Sequence, residues 1–391
     1  MGAGPAGVLL ATLLARKGVE VVLVERHSDF EREFPGEVMQ AGCVDLFEEL
    51  GLLDELFSTR PVKISGFQIF HRKKPWLDLD IESLGLRRPY ALNISQPRVL
   101  SMLADQAKKN PAFQLLMGNA AVELMMEGAR VAGLAARSAS EEIRIRANLV
   151  VAADGRGSTV RRLASMEMRR SDPPFDVVWF KVPPPEGAPL RARAYFGHGQ
   201  LAILVPPRDG LMQIGWVIPK GSYGDLRKKR LEQIKEWIVP FYPEEVQLQI
   251  RKHLTDPGQM VLLSVISSHL KEWSKDGLLF IGDACHPMSP VGGQGINIAF
   301  RDAVVAANHL AEPLKKGPVP LDVLKKIERE REGEIDRIQK LQSAPPRLLM
   351  NRNWFVENIL APILPPVMKL TGQLPKMLRT MALGITEVYP K

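Results

Sequence analysis

Apolar residues in this chain fall into short unbroken runs separated by glycine-rich turns, the pattern of strands and helices buried on more than one side. Val8 to Ala15 reads as an apolar helix ended by Lys17-Gly18. Val19 to Val24, apolar except for Glu20, reads as a strand that stops at Glu25-Arg26. Further helices are predicted from Gly42 to Leu50, with Gly51 as the stop, and from Val99 to Lys109 after Pro97. Leu149 to Ala153 is a second buried-type strand, running into Asp154-Gly155.

The pattern changes near residue 170. Prolines then separate short strands at Val177 to Val182, Arg191 to Phe196, Leu201 to Val205 and Met212 to Ile218, the signature of an antiparallel sheet. A helix is predicted from Asp225 to Trp237, a strand from Leu278 to Ile281 and a helix from Ile296 to Leu310. From Leu321 onward the chain reads as helical and broken by prolines, with no internal repeat. The expected organisation is an α/β nucleotide-binding half, a middle sheet insertion, a return to the first domain and a helical tail.

Composition narrows the function classes. The net charge of +8 admits an anionic cofactor, an acidic membrane surface or nucleic acid. The basic residues are spread out, however, and Arg227-Lys228-Lys229-Arg230 is followed by Glu232, Lys235 and Glu236, a solvated helix face. No nucleic-acid partner is expected. Two cysteines, Cys43 and Cys285, make neither a disulfide framework nor a zinc site, so no metal is expected and a reducing, cytoplasmic setting is. A Gly-rich turn stands where a secretory signal would, and no uncharged run reaches the roughly 20 residues of a spanning helix.

Chemistry begins at the first residues. Gly2, Gly4 and Gly7 form G-x-G-x-x-G, with Pro5 and Ala6 between them, opening the first helix. Such glycines allow a tight turn, close backbone approach to a pyrophosphate and close helix packing, while the helix start offers free N–H groups. Glu25 lies 18 residues after Gly7 at a strand end, beside Arg26, where its carboxylate can take ribose hydroxyls. A buried strand should precede this fingerprint, and only Met1 does. The expectation is a true start upstream, with a GTG valine codon read as Met1 and about five apolar or β-branched residues encoded before it. A stop codon directly upstream would refute that.

Two more motifs follow. Asp154-Gly155 ends a strand and leads to Ser158 and Arg161. Gly282-Asp283 ends another and leads through Pro290, Gly292, Gly293, Gln294, Gly295, Ile296 and Asn297 into a helix. Asp283 can hold a sugar or ribitol hydroxyl, the glycines let backbone approach a planar ligand, and the helix start favours negative charge on it.

Together these motifs resemble the FAD-dependent monooxygenases of the para-hydroxybenzoate hydroxylase type, over nearly the whole chain and in the same order. The resemblance implies a Rossmann-like FAD-binding domain with an inserted antiparallel β-sheet substrate domain and a helical C-terminal tail. The parts would be residues 1–170 (with a small strand region near 62–95), 171–270, 271–320 as the return segment, and 321–391. It implies FAD as cofactor and NADPH or NADH as transient donor. It also implies a flavin C4a-hydroperoxide that hydroxylates an aromatic or quinone-like small molecule. By the same likeness Gly2, Gly4 and Gly7 contact the pyrophosphate and Glu25 the ribose. Arg98 lies near the flavin, Asp154 and Gly155 serve both FAD and the donor, Asp283 takes the ribitol, and Pro290 with Gly292 to Gly295 lines the isoalloxazine. Where the family often has arginine before the Gly36-Glu37 position, Pro35 stands, so one flavin contact that the resemblance implies is either missing or supplied by Arg32.

No side chain is identifiable as a catalytic base. His286 reads as a packing histidine and Cys285 as a small buried residue. Trp216-Val217-Ile218-Pro219 shares part of a halogenase motif, and Trp216 is expected in the sheet, able to face the substrate. The alternative activity is a flavin oxidoreductase or halogenase on the same fold. The tail from Leu348 to Leu383 is expected to pack on the FAD domain rather than lie on a membrane, because its prolines interrupt any long amphipathic helix. The chain is expected as a monomer or homodimer.

Overall fold

The computed structural model describes all residues except 32–36, 172, 351, 352, 354 and 385–387. Arg32 and Pro35-Gly36 lie outside the described residues.

The helix Pro5–Arg16 is apolar on every face because it is covered on every face: each residue from Ala6 to Ala15 is buried. It packs between the helices Gly295–Lys316 and Gln96–Lys108. Thr12, its one polar interior residue, donates to Val8 O within the helix at 2.7 Å and is also 3.0 Å from Leu103 O. Beside it, Val21–Val24 pairs in parallel with Phe113–Leu116, and Val150–Ala152 pairs in parallel with Leu278–Phe280. Between these two pieces of sheet stands a single residue where a strand is expected. The Met1 nitrogen donates to Val151 O and its carbonyl accepts from Ala153 N, both at 2.8 Å, while Gly2 N donates to Val24 O at 2.7 Å.

The largest sheet has seven strands in the order Val261–Leu263, Phe175–Val182, Leu211–Pro219, Gln200–Arg208, Arg191–Gly197, Gly66–His71 and Lys74–Asp80. It is antiparallel apart from the pair Arg191–Gly197 with Gly66–His71. It thus draws two strands from the first segment of the chain. One face packs on the helices Leu231–Ile238 and Glu244–His253 through Val178, Phe180 and Trp216; the other carries Val177, Trp179 and Leu201. The helix expected from Asp225 to Trp237 is two, Tyr223–Leu226 and Leu231–Ile238, parted at the run of cations ending in Arg230. An antiparallel meander, Ala120–Glu127, Arg130–Arg137 and Glu142–Arg146, carries no motif and was not anticipated.

The tail forms the helices Leu321–Leu349, Ala361–Leu370 and Gln373–Leu383. The last packs on Ala41–Glu49, and Arg301 donates to Leu383 O at 2.9 Å. No helix among the described residues is long and apolar enough to cross a membrane.

Candidate functional site

The three motifs meet at one end of the parallel sheet. Gly2 has φ +96°, and a Cβ there would sit 2.4 Å from Ala153 O; a Cβ on Gly7 would sit 1.9 Å from Gly2 O. The fingerprint loop, its helix and the strand before Asp154 are therefore in backbone contact, which only glycine permits. Gly4 and Gly155 face open space. No side chain caps the Pro5–Arg16 helix and no acid sits in its first turn, so its N-terminal charge is uncompensated beside that opening. An open cradle with an uncapped helix start suits the pyrophosphate of FAD.

Glu25 is buried and holds the loop in shape: its carboxylate accepts from Ala3 N at 2.8 Å and His27 N at 3.0 Å. Arg26 is exposed and donates to its neighbour His27. Asp154 accepts from Ser158 Oγ at 2.5 Å and from Thr159 N and Val160 N at 2.7 and 3.1 Å, so its carboxylate caps the following short helix. Arg161 then reaches Ala284 O at 2.8 Å, and Arg156 pairs with Asp283 at 2.9 Å. Arg156 is a site residue that no motif position pointed to. Arg98 is half exposed and pairs with Asp209 at 3.1 Å.

The Gly-rich loop is stapled from its protein side. Asn297 Nδ2 donates to Gly293 O at 2.7 Å and Val38 O at 3.1 Å, and its Oδ1 accepts from Gln40 N at 2.8 Å. Gln294 donates to Met381 O at 2.9 Å. Gln294, Ile296 and Asn297 are buried. Gln294 and Asn297 hold the loop through these bonds, Ile296 joins the apolar core, and backbone is left to meet a ligand. Gly292 and Gly293 adopt φ +73° and +61°, and a Cβ on Gly292 would strike the Met381 methyl at 2.4 Å.

Behind the loop, Asp302 is fully buried. It accepts from Gly282 N at 2.9 Å and from Arg331 at 2.8 Å, and His286 lies 2.6 Å away. Burial opposes its charge, but His286 and Arg331 outweigh that and bring its pKa down to about 2. His286 packs against Trp273, and Cys285 is buried.

Pro290 to Gly293 border a cavity of about 660 Å³. Its wall is almost wholly apolar, with Phe67, Trp76 and Trp179 from the sheet and Met377, Leu378 and Met381 from the last helix. Gly215 lies opposite Trp179 in the register, and a Cβ there would meet the indole at 2.8 Å, so this glycine makes room for the ring. Trp216 sits on the other face, buried against the helices, and does not line the cavity; the expectation that it could face the substrate is corrected by strand parity. Glu37 reaches the wall and pairs with Arg208 at 2.9 Å; burial raises its pKa, with Arg208 opposing.

A family model described as FAD binding domain matches residues 1–339. The chain is 31% identical over 391 residues to 6-methylpretetramide 4-monooxygenase of Streptomyces rimosus, covering 98% of this chain and 91% of that protein. It is 27% identical over 365 residues to protoasukamycin 4-monooxygenase of Streptomyces nodosus subsp. asukaensis, covering 88% and 85%. Its fold superposes on p-nitrophenol 4-monooxygenase PnpA from Pseudomonas putida DLL-E4 with a TM-score of 0.80 at 19% identity, over 97% of this chain and 96% of that one.

Proposed function

The chain belongs to the FAD-binding domain family and is an FAD-dependent monooxygenase, and on that premise we propose that it hydroxylates a planar, multi-ring aromatic substrate held in the apolar cavity, using NADPH or NADH and O2. The observation that carries this reading is the cavity itself. Its rim is the Pro290 to Gly293 loop and its wall is aromatic and aliphatic, with room for several fused rings. Its first relative here acts, by name, on 6-methylpretetramide.

When bound, FAD supplies the redox chemistry: two electrons from the nicotinamide and one O2 give one ring hydroxyl and one water. The protein's part is binding and dryness. Gly2, Gly4 and Gly7 would offer backbone to the pyrophosphate, Glu25 would turn its carboxylate to the ribose, and Asp283 would take a ribitol hydroxyl. Gly155 would leave room beside the cofactor. The backbone from Pro290 to Gly295 would meet the flavin ring. Asp154 keeps its neighbouring turn in place through the three bonds it accepts. The sheet and the last helix exclude water from the reacting ring.

The test is direct. The full-length protein should carry a flavin spectrum, and a multi-ring phenol should stimulate NAD(P)H oxidation and O2 uptake and yield a product heavier by one oxygen atom. A colourless protein that FAD does not restore would end this reading.

A further inference from the structure

Three ionisable side chains among the described residues reach the cavity wall: Glu37, Arg337 and Lys340. Glu37 is already matched by Arg208. Arg337 has no ion pair and no side-chain hydrogen bond among the described residues.

The helix Leu321–Leu349 turns the exposed Arg337 away from the core and to the cavity wall. Ile335 and Ile338 are buried in the core, Gln339 donates to Ser268 O and Pro287 O, and Gln342 donates to Ser289 O and Val291 O at 2.8 Å each. These bonds fix the helix rotation, and the spacing i, i+3, i+4 puts Arg337, Lys340 and Leu341 on one stripe along the cavity. The acid one turn before, Glu334, is buried and spent on Arg301 and Arg331. Asp336 lies 3.7 Å from His269.

An exposed guanidinium is solvated while the cavity holds water. An apolar ligand lying over it removes that water and offers nothing in return, whereas an anionic group replaces the water with a charge-assisted bond. The two effects act in the same direction. We propose that Arg337 is a specificity-determining residue, selecting substrates that carry an anionic group, such as a carboxylate or an ionised enol or phenol, on an otherwise apolar multi-ring body. The inference rests on the cavity being the substrate site, as proposed above.

The experiment uses two matched three-ring probes on the FAD-loaded protein at pH 7.5, anthraquinone-2-carboxylate and anthraquinone-2-carboxamide, with binding measured by calorimetry. The carboxylate binds about tenfold more tightly. Arg337→Met abolishes that ratio, Arg337→Lys keeps part of it, and Trp179→Ala weakens both probes alike. A ratio near one in the unaltered protein, an unchanged ratio in Arg337→Met, no binding of either probe, or indifference to Trp179→Ala overturns the inference. The flavin spectrum and donor-driven O2 uptake of the same preparations read the proposed function separately. A coloured, oxygen-consuming enzyme without anion preference loses only the role of Arg337.

Discussion

Arg156 donates through Nε to a carboxylate oxygen of Asp283 at 2.9 Å, across 127 positions of sequence, so the second and third motifs are clasped by side chains. Both residues are about a quarter exposed, which leaves Asp283 open to a ligand while the pair holds it in place. Asp283→Ala is expected to weaken FAD binding at least tenfold by removing the ribitol partner. Arg156→Met should weaken it less, because the carboxylate stays but is no longer held. Fluorimetric FAD titration of the apoprotein ranks the two. Equal and full flavin occupancy in Asp283→Ala would remove that residue from the site.

Glu37 and Arg208 join the first segment of the chain to the sheet at the cavity wall. Burial holds the Glu37 pKa above its usual value even with Arg208 beside it. A carboxyl raised on folding favours the folded state in acid and loses that contribution as pH rises through its folded pKa. Urea midpoints should therefore fall with rising pH more in the unaltered protein than in Glu37→Gln. Arg208→Met takes the ion-pair partner from the buried carboxylate, leaving the weaker influence of Lys181, and should cost up to about 3–5 kcal/mol near neutrality, with the loss shrinking towards acid. A loss that grows towards acid would contradict this assignment.

Gly215 and Trp179 face each other across paired strands, with no space for a Cβ between them. Gly215→Ala should push the indole into the cavity and raise KM for the aromatic substrate several-fold. Flavin content should hold, because the displaced ring enters a cavity that the Pro290 to Gly293 loop only borders. Steady-state kinetics and the 450 nm absorbance together check this. A drop in flavin with an unchanged KM would be the wrong result.

The backbone geometry of the proposed FAD half was legible because it is local. Gly2, Gly4, Gly7 and Asp154 lie next to the elements they organise, and their spacing states the geometry. The cavity half was not. Both faces of the Phe175–Val182 and Leu211–Pro219 strands are buried, one by helices and one at the cavity, so no polar alternation tells Trp179 from Trp216. Gly66–His71 joins the sheet through a parallel pairing 125 residues distant, as Ser65 with Leu190 shows at its edge. Arg156 and Arg337 owe their positions to tertiary packing, and the sequence marks neither. The tail's contact with the FAD domain was foreseen from its prolines. Its share of the cavity wall was not, because no motif marks Met377, Leu378 or Met381 among the apolar residues of the tail.

The last helix, Gln373–Leu383, is held by few polar bonds: Gln294 to Met381 O at 2.9 Å, Arg301 to Leu383 O at 2.9 Å and Arg379 to Leu84 O at 2.8 Å. None of these touches the fingerprint or Asp283, yet Met377, Leu378 and Met381 close the cavity above the Gly292 loop. Ending the chain after Gly372 removes the Gln294 bond to Met381 but leaves the Asn297 bonds that hold the same loop, so FAD binding should weaken only modestly while the reacting ring opens to water. Donor oxidation would continue while product per donor falls, the difference emerging as hydrogen peroxide. Measuring peroxide and product against donor consumed, with FAD titrated in parallel, tests the separation. Tight coupling in the shortened chain would show that the helix does not seal the site, and loss of FAD would show that it supports the flavin loop instead.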